Sequence, residues 1–337
     1  MPERIEWIDI AKGLGMFTVI AGHTFYLGYS YPLYAFHMPL FFFLSGLVFI
    51  DKNEGFWVFL KNKATSLIKP WAIILIISFF VCLLIPQWRN ALTIKSIMDD
   101  FYTANTNTLQ NSSLWYLVCF YFVLLLFYII NRFKIQHSAL RIILFFVFLW
   151  SLLYIKSVLI LIPLPFHRLP FKIDSALVAL IFFWTAYCYK SKIISFLSKK
   201  SGIMFALTLV ILTTILSVFN GWCNINSLDF GRIKYLFFPI AFLGIGMVCV
   251  VSGCITKMPP PTRRFLCFYG RNSLLIFAFQ SLFIRLYLLF FNNIQGLNMT
   301  LYGNNPMGHQ IGSFLVVSFV MSPITIFVFK CFKKMSI

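Results

Sequence analysis

Two residues near the N-terminus, Lys12 and His23, have the types and the spacing for acid–base chemistry. They are eleven residues apart, which is almost three whole turns of an α-helix. One helix would therefore present both on the same face, roughly 16 Å apart along its axis. An imidazole can act as a general base near neutral pH, and an ammonium group can bind an anionic substrate. Asp9 lies one turn before Lys12, so this helix face is a candidate catalytic site.

The composition indicates the environment in which these residues act. Of the 337 residues, 60% are hydrophobic and 11% are charged, with 9 Asp and Glu against 42 Phe. Soluble domains carry about 25% charged residues, so this chain could not cover its apolar core in water. We therefore expect a membrane protein in contact with lipid, with one transmembrane domain over residues 1–337, no separate soluble domain and no nucleic-acid partner.

Runs of about 20 apolar residues, the length that crosses the hydrocarbon layer, predict an all-α polytopic protein with about ten transmembrane helices. Lys and Arg concentrate in cytoplasmic loops. With both termini cytoplasmic, 20 of the 28 Lys and Arg lie on the cytoplasmic side and 7 on the other, with Arg285 inside the ninth helix. The predicted spans are 11–31, 33–51, 70–88, 113–131, 141–161, 171–189, 202–220, 235–255, 271–291 and 311–331.

Within a membrane, each of the candidate residues also has a structural interpretation. Lys12 can extend to lipid phosphates, and His23 can simply hydrogen-bond a neighbouring helix. Function is favoured for His23, because an ionisable side chain at membrane depth is costly and needs a polar partner. His37, at the start of the second span, either joins the same site or lies near the lipid headgroups.

Several segments, in this order, resemble the integral-membrane acyltransferase 3 family, which includes fucose 4-O-acetylase-like proteins. Members O-acylate sugars of surface polysaccharides with an acyl-CoA donor. The Lys12-x10-His23 spacing is similar to the family's basic-x10-His signature. The stretch from Phe36-His37-Met38-Pro39 to Ser45-Gly46 resembles its second helix. Further similar segments lie at 59–63, 114–117, 169–177, 219–221 and 270–274, so the resemblance covers nearly the whole chain.

The resemblance implies a membrane O-acetyltransferase of polysaccharide biosynthesis, located in a bacterial inner membrane. It would move an acetyl group from acetyl-CoA to a sugar hydroxyl of a surface glycan or of its lipid-linked precursor. His23 is then the general base, with Lys12 and Asp9 in the catalytic set. The implied ligands of the donor are Lys12, Lys61, Lys63, Arg263 and Arg264, and those of the acceptor are His37, Ser45, Trp115, Tyr116 and Asp174.

Some of these assignments have alternatives. Asp174 can pair with Lys172 or Arg168, or cap a helix, and Trp115 and Tyr116 can belong to an interfacial aromatic belt. Asp9 is too far from His23 to orient it, so its expected partner is Lys12 or the donor.

A different class of function is a transporter or flippase for a lipid-linked glycan. Such a protein is expected to show internal repeats or paired broken helices, and neither is evident in this sequence. The eight Cys are widely spaced, without a CxxC pair or a Cys/His cluster. We therefore expect no metal site.

Overall fold

The structure is a computed structural model, and it describes residues 4–132, 148–200, 202–301, 303 and 305–335. Helices account for most of these residues. A short antiparallel hairpin pairs β1, Cys223–Asn224, with β2, Asp229–Phe230. The helices are α1 Glu6–Thr24, α2 Leu27–Tyr34, α3 His37–Val48, α4 Phe56–Lys63, α5 Lys69–Leu84, α6 Pro86–Arg89, α7 Ile94–Thr103, α8 Trp115–Arg132, α9 Ile155–Ile160, α10 Ile173–Cys188, α11 Lys190–Lys200, α12 Ile203–Asn220, α13 Phe237–Ile255, α14 Pro260–Arg271, α15 Ser273–Gln295, α16 Met307–Val316 and α17 Ser322–Met335.

Eight helical segments among the described residues are long and apolar enough to cross a membrane. They correspond to eight of the ten predicted spans, which confirms the prediction of an all-α, multi-pass membrane protein. The segments are Leu27–Val48, Phe56–Leu84, Ser112–Arg132, Pro165–Cys188, Ile203–Asn220, Lys234–Ile255, Ser273–Gln295 and Met307–Cys331.

The two other predicted spans have different outcomes. The first, 11–31, is divided, because α1 ends at Thr24 and α2 begins at Leu27. In the break, the backbone N–H of Tyr26 donates to Oε1 of Gln310 at 2.9 Å. Helix α1 is not one of the eight apolar segments, since its acidic, basic and imidazole side chains lower its hydropathy. The fifth span, 141–161, begins at residues 141–147, which lie outside the described residues.

The chain divides into two compact units. The first unit comprises Met1–Phe41, Ser191–Gly221 and Pro239–Ile337. The second comprises Phe42–Lys190 and Trp222–Phe238. The segment with Lys12 and His23 therefore belongs to the first unit, and the segment with Asp174 belongs to the second.

In the first unit, α1 packs closely against α14, and two glycines make this possible. A Cβ atom at Gly13 would overlap the carbonyl oxygen of Leu266, and one at Gly270 would overlap that of Asp9. The absence of these side chains lets the two backbones approach, as small residues do between membrane helices. Buried Ile10, Leu266, Cys267 and Ile255 form the apolar cluster beside this crossing. The crossing fixes the position of the polar face of α1.

In the second unit, aromatic rings pack α8 and α10 together with Phe49, the residue that follows α3. The ring of Phe183 lies 5.0 Å from that of Phe127 and 5.4 Å from that of Phe49. Gly46 adjoins the backbone of Phe183, where a Cβ atom would overlap the carbonyl oxygen. The glycine of the Ser-Gly pair near the end of α3 is therefore required by close packing.

Candidate active site

Tyr34 lies next to both histidines that the sequence singled out. Its hydroxyl oxygen is 3.5 Å from Nδ1 of His23, and its ring is edge-on to His37 with the centroids 4.7 Å apart. His23 is in the last turn of α1, while Tyr34 ends α2 and His37 begins α3. The break between α1 and α2 turns the chain so that these side chains meet. The two histidines thus belong to one cluster within the first unit.

The position of His37 is fixed by a backbone contact. Its Nδ1 lies 2.6 Å from the carbonyl oxygen of Leu33. Because a carbonyl can only accept, Nδ1 carries the hydrogen and donates it, which makes Nε2 the acceptor in the neutral ring. The residue is 2% exposed. His37 is therefore a buried, oriented imidazole with a defined acceptor atom.

Arg285 is the cation of this cluster, and it was not among the predicted site residues. It lies on α15, which packs against α1, and its positive charge acts on His23. The sequence did contain a signal, since an arginine in the middle of a 23-residue apolar helix is costly unless it has a use. The spacing within α1 could not reveal it, because Arg285 comes from another helix.

Asp9 pairs with Arg271, which was not one of its two expected partners, Lys12 or the donor. Its Oδ2 accepts a hydrogen bond from Nε of Arg271 at 2.9 Å. This hydrogen bond to the carboxylate is the main reason why the pKa of Arg271 is raised. The pair sits at the crossing of α1 and α14, beside Gly270. Lys12, one turn further along α1, experiences the charges of Asp9 and Arg4 and is half-buried.

The two predicted cations on α14 differ in their surroundings. Nη1 of Arg263 donates to both carboxylate oxygens of Glu6, at 3.1 and 3.2 Å. Arg264 is exposed. A phosphate group of a donor would meet Arg264 directly but would compete with Glu6 for Arg263.

Lys61 and Lys63 belong to the second unit, at the end of α4. Lys61 is exposed and Lys63 is half-buried. The Lys63 ammonium group lies over the rings of Phe49 and Phe59, 5.3 and 5.2 Å from their centroids. Such cation–π contacts hold the side chain in place while leaving its charge available.

Ser45 and Tyr116 form a contact inside the second unit. Their side chains are hydrogen-bonded, and the ring of Tyr116 packs against that of Phe42 at 5.0 Å. Trp115 and Tyr116 are buried, at 5% and 6% exposure. Both aromatic residues therefore lie in the interior of this unit, which is not where a lipid-facing aromatic belt would be.

Asp174 forms an ion pair with Arg168, one of the two structural partners considered for it. Nε and Nη2 of Arg168 donate to the two carboxylate oxygens, the second at 3.0 Å. The N–H groups of Leu169 and Ser175 donate to the same carboxylate, at 3.3 and 2.7 Å. The acceptor capacity of Asp174 is largely used by the protein, which leaves little for a sugar.

The chain matches the family model of the acyltransferase 3 domain, described as an acyltransferase domain, over residues 5–330. The protein belongs to the acyltransferase 3 family. No curated protein and no solved structure matches the chain. The match spans both units and includes every predicted site residue, so the resemblance drawn from the motifs is confirmed. The protein is a multi-pass membrane acyltransferase, and the family favours an enzyme over a transporter or flippase.

The described residues of this acyltransferase contain no arrangement suited to metal binding. Among its described residues, no group of three or more His, Cys, Asp or Glu side chains is placed to hold a metal ion. The histidine cluster of the acyltransferase instead combines Tyr34 and Arg285 with His23 and His37. Phenol, guanidinium and imidazole groups together can transfer protons and stabilise negative charge.

Proposed function

We propose that this acyltransferase moves an acetyl group from acetyl-CoA to a hydroxyl of a sugar in a cell-surface glycan or in its lipid-linked precursor. This would make it an O-acetyltransferase of polysaccharide biosynthesis in a bacterial inner membrane. Acetyl, acetyl-CoA and the sugar acceptor come from the family resemblance. The observation that carries the role of His23 is its contact with Tyr34 in a cluster that also holds His37 and Arg285.

The contact with Tyr34 defines how His23 acts as the general base. When Nδ1 of His23 donates its hydrogen to the phenolic oxygen, Nε2 is unprotonated and can accept a proton. The 3.5 Å separation is at the outer limit of a hydrogen bond. Catalytic contacts are often long in the absence of substrate and shorten when it binds.

The reaction then proceeds by direct transfer. Nε2 of His23 takes the proton of the sugar hydroxyl as its oxygen attacks the thioester carbonyl carbon. The new C–O bond forms, and negative charge develops on the carbonyl oxygen, where the Arg285 guanidinium would stabilise it. The C–S bond then breaks, and the proton held by His23 passes to the sulfur of coenzyme A. The products are the O-acetyl ester and the free thiol.

For the donor, the proposed ligands remain cations that attract phosphate groups. In the first unit these are Lys12 and the exposed Arg264, with Arg263 available where it exchanges Glu6 for phosphate. In the second unit they are Lys61 and Lys63. For the acceptor, His37 offers the Nε2 acceptor atom defined above, and Ser45, Trp115 and Tyr116 stay predictions.

The test measures radiolabelled acetyl transfer from acetyl-CoA to glycan in membranes that contain the full-length protein. His23→Ala should abolish transfer at normal protein level, because the base is lost. His309→Ala is the matched control, since this histidine of the same unit packs against Phe291 at 5.0 Å and has no assigned role. Wild-type transfer by the His23 variant would refute the base assignment. The absence of transfer in the wild type, with glycan flux retained, would favour a transporter.

A further inference from the structure

The break between α1 and α2 is the point at which the chain turns and brings Tyr34 back to His23. Helix α1 ends at Thr24, and the next two residues leave the helical conformation, with ψ 151° at Phe25 and 139° at Tyr26. A peptide between two helices lies outside both of their hydrogen-bond ladders, so its polar groups need partners from elsewhere in the protein. The backbone N–H of Tyr26 is such a group.

Gln310, in the first turn of α16, provides the partner. Its Oε1 accepts the hydrogen bond from the N–H of Tyr26 at 2.9 Å, and its Nε2 donates to the carbonyl oxygen of Asn305 at 2.6 Å. The oxygen of an amide only accepts and its nitrogen only donates, so the two contacts allow one orientation of this side chain. Gln310 is 2% exposed. It therefore connects the break to the segment before α16 through a buried, oriented amide.

The segment that receives this amide is itself held in place. Oδ1 of Asn305 accepts from the N–H of Thr300 at 3.1 Å, and its Nδ2 donates to the carbonyl oxygen of Thr300 at 2.8 Å. On α16, one turn after Gln310, the ring of Phe314 lies 5.8 Å from that of Phe25. Helix α16 thus holds the two residues of the break, one by a hydrogen bond and the other by a ring contact.

The contact between Tyr34 and His23 is sensitive to the position of the break. The hydroxyl oxygen of Tyr34 is 3.5 Å from Nδ1 of His23, which is the outer limit of a hydrogen bond. The ring of Tyr34 also lies against α1, because a Cβ atom at Gly22 would be 3.2 Å from its Cε2. A movement of the break away from α16 would therefore change how the hydroxyl meets the imidazole. Small displacements of a reacting group can slow catalysis strongly.

We propose that Gln310 is a positioning residue for the general base. By accepting the N–H of Tyr26, it fixes the break between α1 and α2, and so it keeps the Tyr34 hydroxyl against Nδ1 of His23. It acts through Tyr34 and transfers no proton itself. This inference rests on the proposed function, because it assigns a support to the base of that reaction.

The test combines Gln310→Met with Tyr34→Phe in acetyl-transfer assays of the full-length protein in lipid nanodiscs. Gln310→Met keeps the shape of the side chain but removes both of its hydrogen bonds. It should lower kcat about fivefold, the loss expected from one hydrogen bond to the base, with an unchanged KM for acetyl-CoA. In the Tyr34→Phe protein, the same substitution should change kcat less than about twofold, because the hydroxyl that it displaces is already absent. Independent structural effects would instead multiply.

Asn292 provides the matched control, because it is another amide that holds backbone in the same unit. Its Oδ1 accepts from the N–H of Met299, and its Nδ2 donates to the carbonyl oxygen of Met299, both at 2.9 Å. Asn292→Leu removes these bonds with little change of shape and should leave kcat at the wild-type value. Gln310→Asn, in which the amide is one methylene group shorter, replaces Gln310→Met if that protein does not fold, and the same loss is expected.

Hydrogen–deuterium exchange of the same samples measures the contact without activity. In Gln310→Met, peptides of residues 25–36 should exchange faster than in the wild type, and peptides of residues 296–299 should not. Asn292→Leu should give the opposite pattern. The proposal is overturned by unchanged exchange at 25–36, by an unchanged kcat, or by losses that multiply in the double variant.

The exchange pattern also separates this inference from the proposed function. A wild type that transfers no acetyl group would contradict the proposed function, while faster exchange at 25–36 in Gln310→Met would still support Gln310 as the residue that holds the break. Conversely, acetyl transfer at the wild-type rate by Gln310→Met would remove the positioning role and leave the proposed function in place.

Discussion

The phenolic oxygen of Tyr34 lies 3.5 Å from Nδ1 of His23, and its ring packs edge-on against His37. One residue at the end of α2 therefore connects the two histidines. The connection is possible because α1 stops at Thr24 instead of continuing through the predicted span.

Removal of the Tyr34 hydroxyl is expected to slow catalysis without affecting donor binding. Tyr34→Phe should lower kcat about fivefold, the effect of losing a hydrogen bond that contributes about 1 kcal/mol. KM for acetyl-CoA should be unchanged, since the hydroxyl contacts the base. Tyr29→Phe on the same helix is the control, because Tyr29 is largely exposed. A raised KM with an unchanged kcat would contradict a role in positioning His23.

Neutralisation of Arg285 is expected to affect the chemical step. Arg285→Gln should lower kcat by roughly 10- to 100-fold, because a cation beside His23 can stabilise the oxyanion of the transition state. Arg285→Lys keeps the charge and should lose less. Single-turnover acetyl transfer measures this step directly, with Arg89→Gln, an exposed arginine, as the control. Equal rates for the Gln and Lys variants would show that the charge is not used.

A single methyl group added at the crossing of α1 and α14 should destabilise the protein strongly. Gly13→Ala places a Cβ atom on the carbonyl oxygen of Leu266, and such overpacking costs about 1–3 kcal/mol. Gly308→Ala meets no atom within 4 Å and should be neutral or stabilising, since Ala favours a helix by about 1 kcal/mol over Gly. Thermal unfolding in nanodiscs should therefore show Tm changes of opposite sign, or a loss at Gly13 alone. A Gly13→Ala variant as stable as the wild type would mean that the two backbones can separate.

The ion pair of Asp174 should contribute far more to the stability of the protein than that of Asp229. Asp174→Asn leaves the largely buried Arg168 without its counter-charge, which costs about 3–5 kcal/mol when a buried pair is broken. Asp229→Asn breaks the half-exposed pair with Lys156 and should cost at most about 1 kcal/mol. Thermal unfolding of the two variants provides the comparison. Similar losses in both would show that Arg168 regains water when its partner is removed.

The sequence predicted the general architecture because apolar runs of membrane length require little tertiary information. Eight of the predicted spans correspond to apolar helices in the described structure. The spacing of Lys12 and His23 also followed from helix geometry alone, since both lie on α1. The family followed from the order of the motifs, and the match over residues 5–330 agrees with it.

The partners of these residues were not predictable in the same way. The interaction of Asp9 with Arg271 and that of His23 with Arg285 join helices that are more than 250 residues apart in sequence. Such contacts depend on how two helices cross, and the crossing of α1 with α14 is set by the close approach at Gly13 and Gly270. The periodicity of one helix in the sequence does not specify where another helix lies.

The sequence by itself determined that the chain lies in a membrane, belongs to an acyltransferase family and carries Lys12 and His23 on one helix face. Only the tertiary structure decided that Tyr34 meets His23, that Asp174 pairs with Arg168, and that Lys172 donates to the carbonyl oxygen of Asn226. The physical reason is the distance along the chain over which each property is set. Apolar content and periodicity are local properties, whereas the pairing of a charge depends on the nearest opposite charge in space, which folding alone brings into contact.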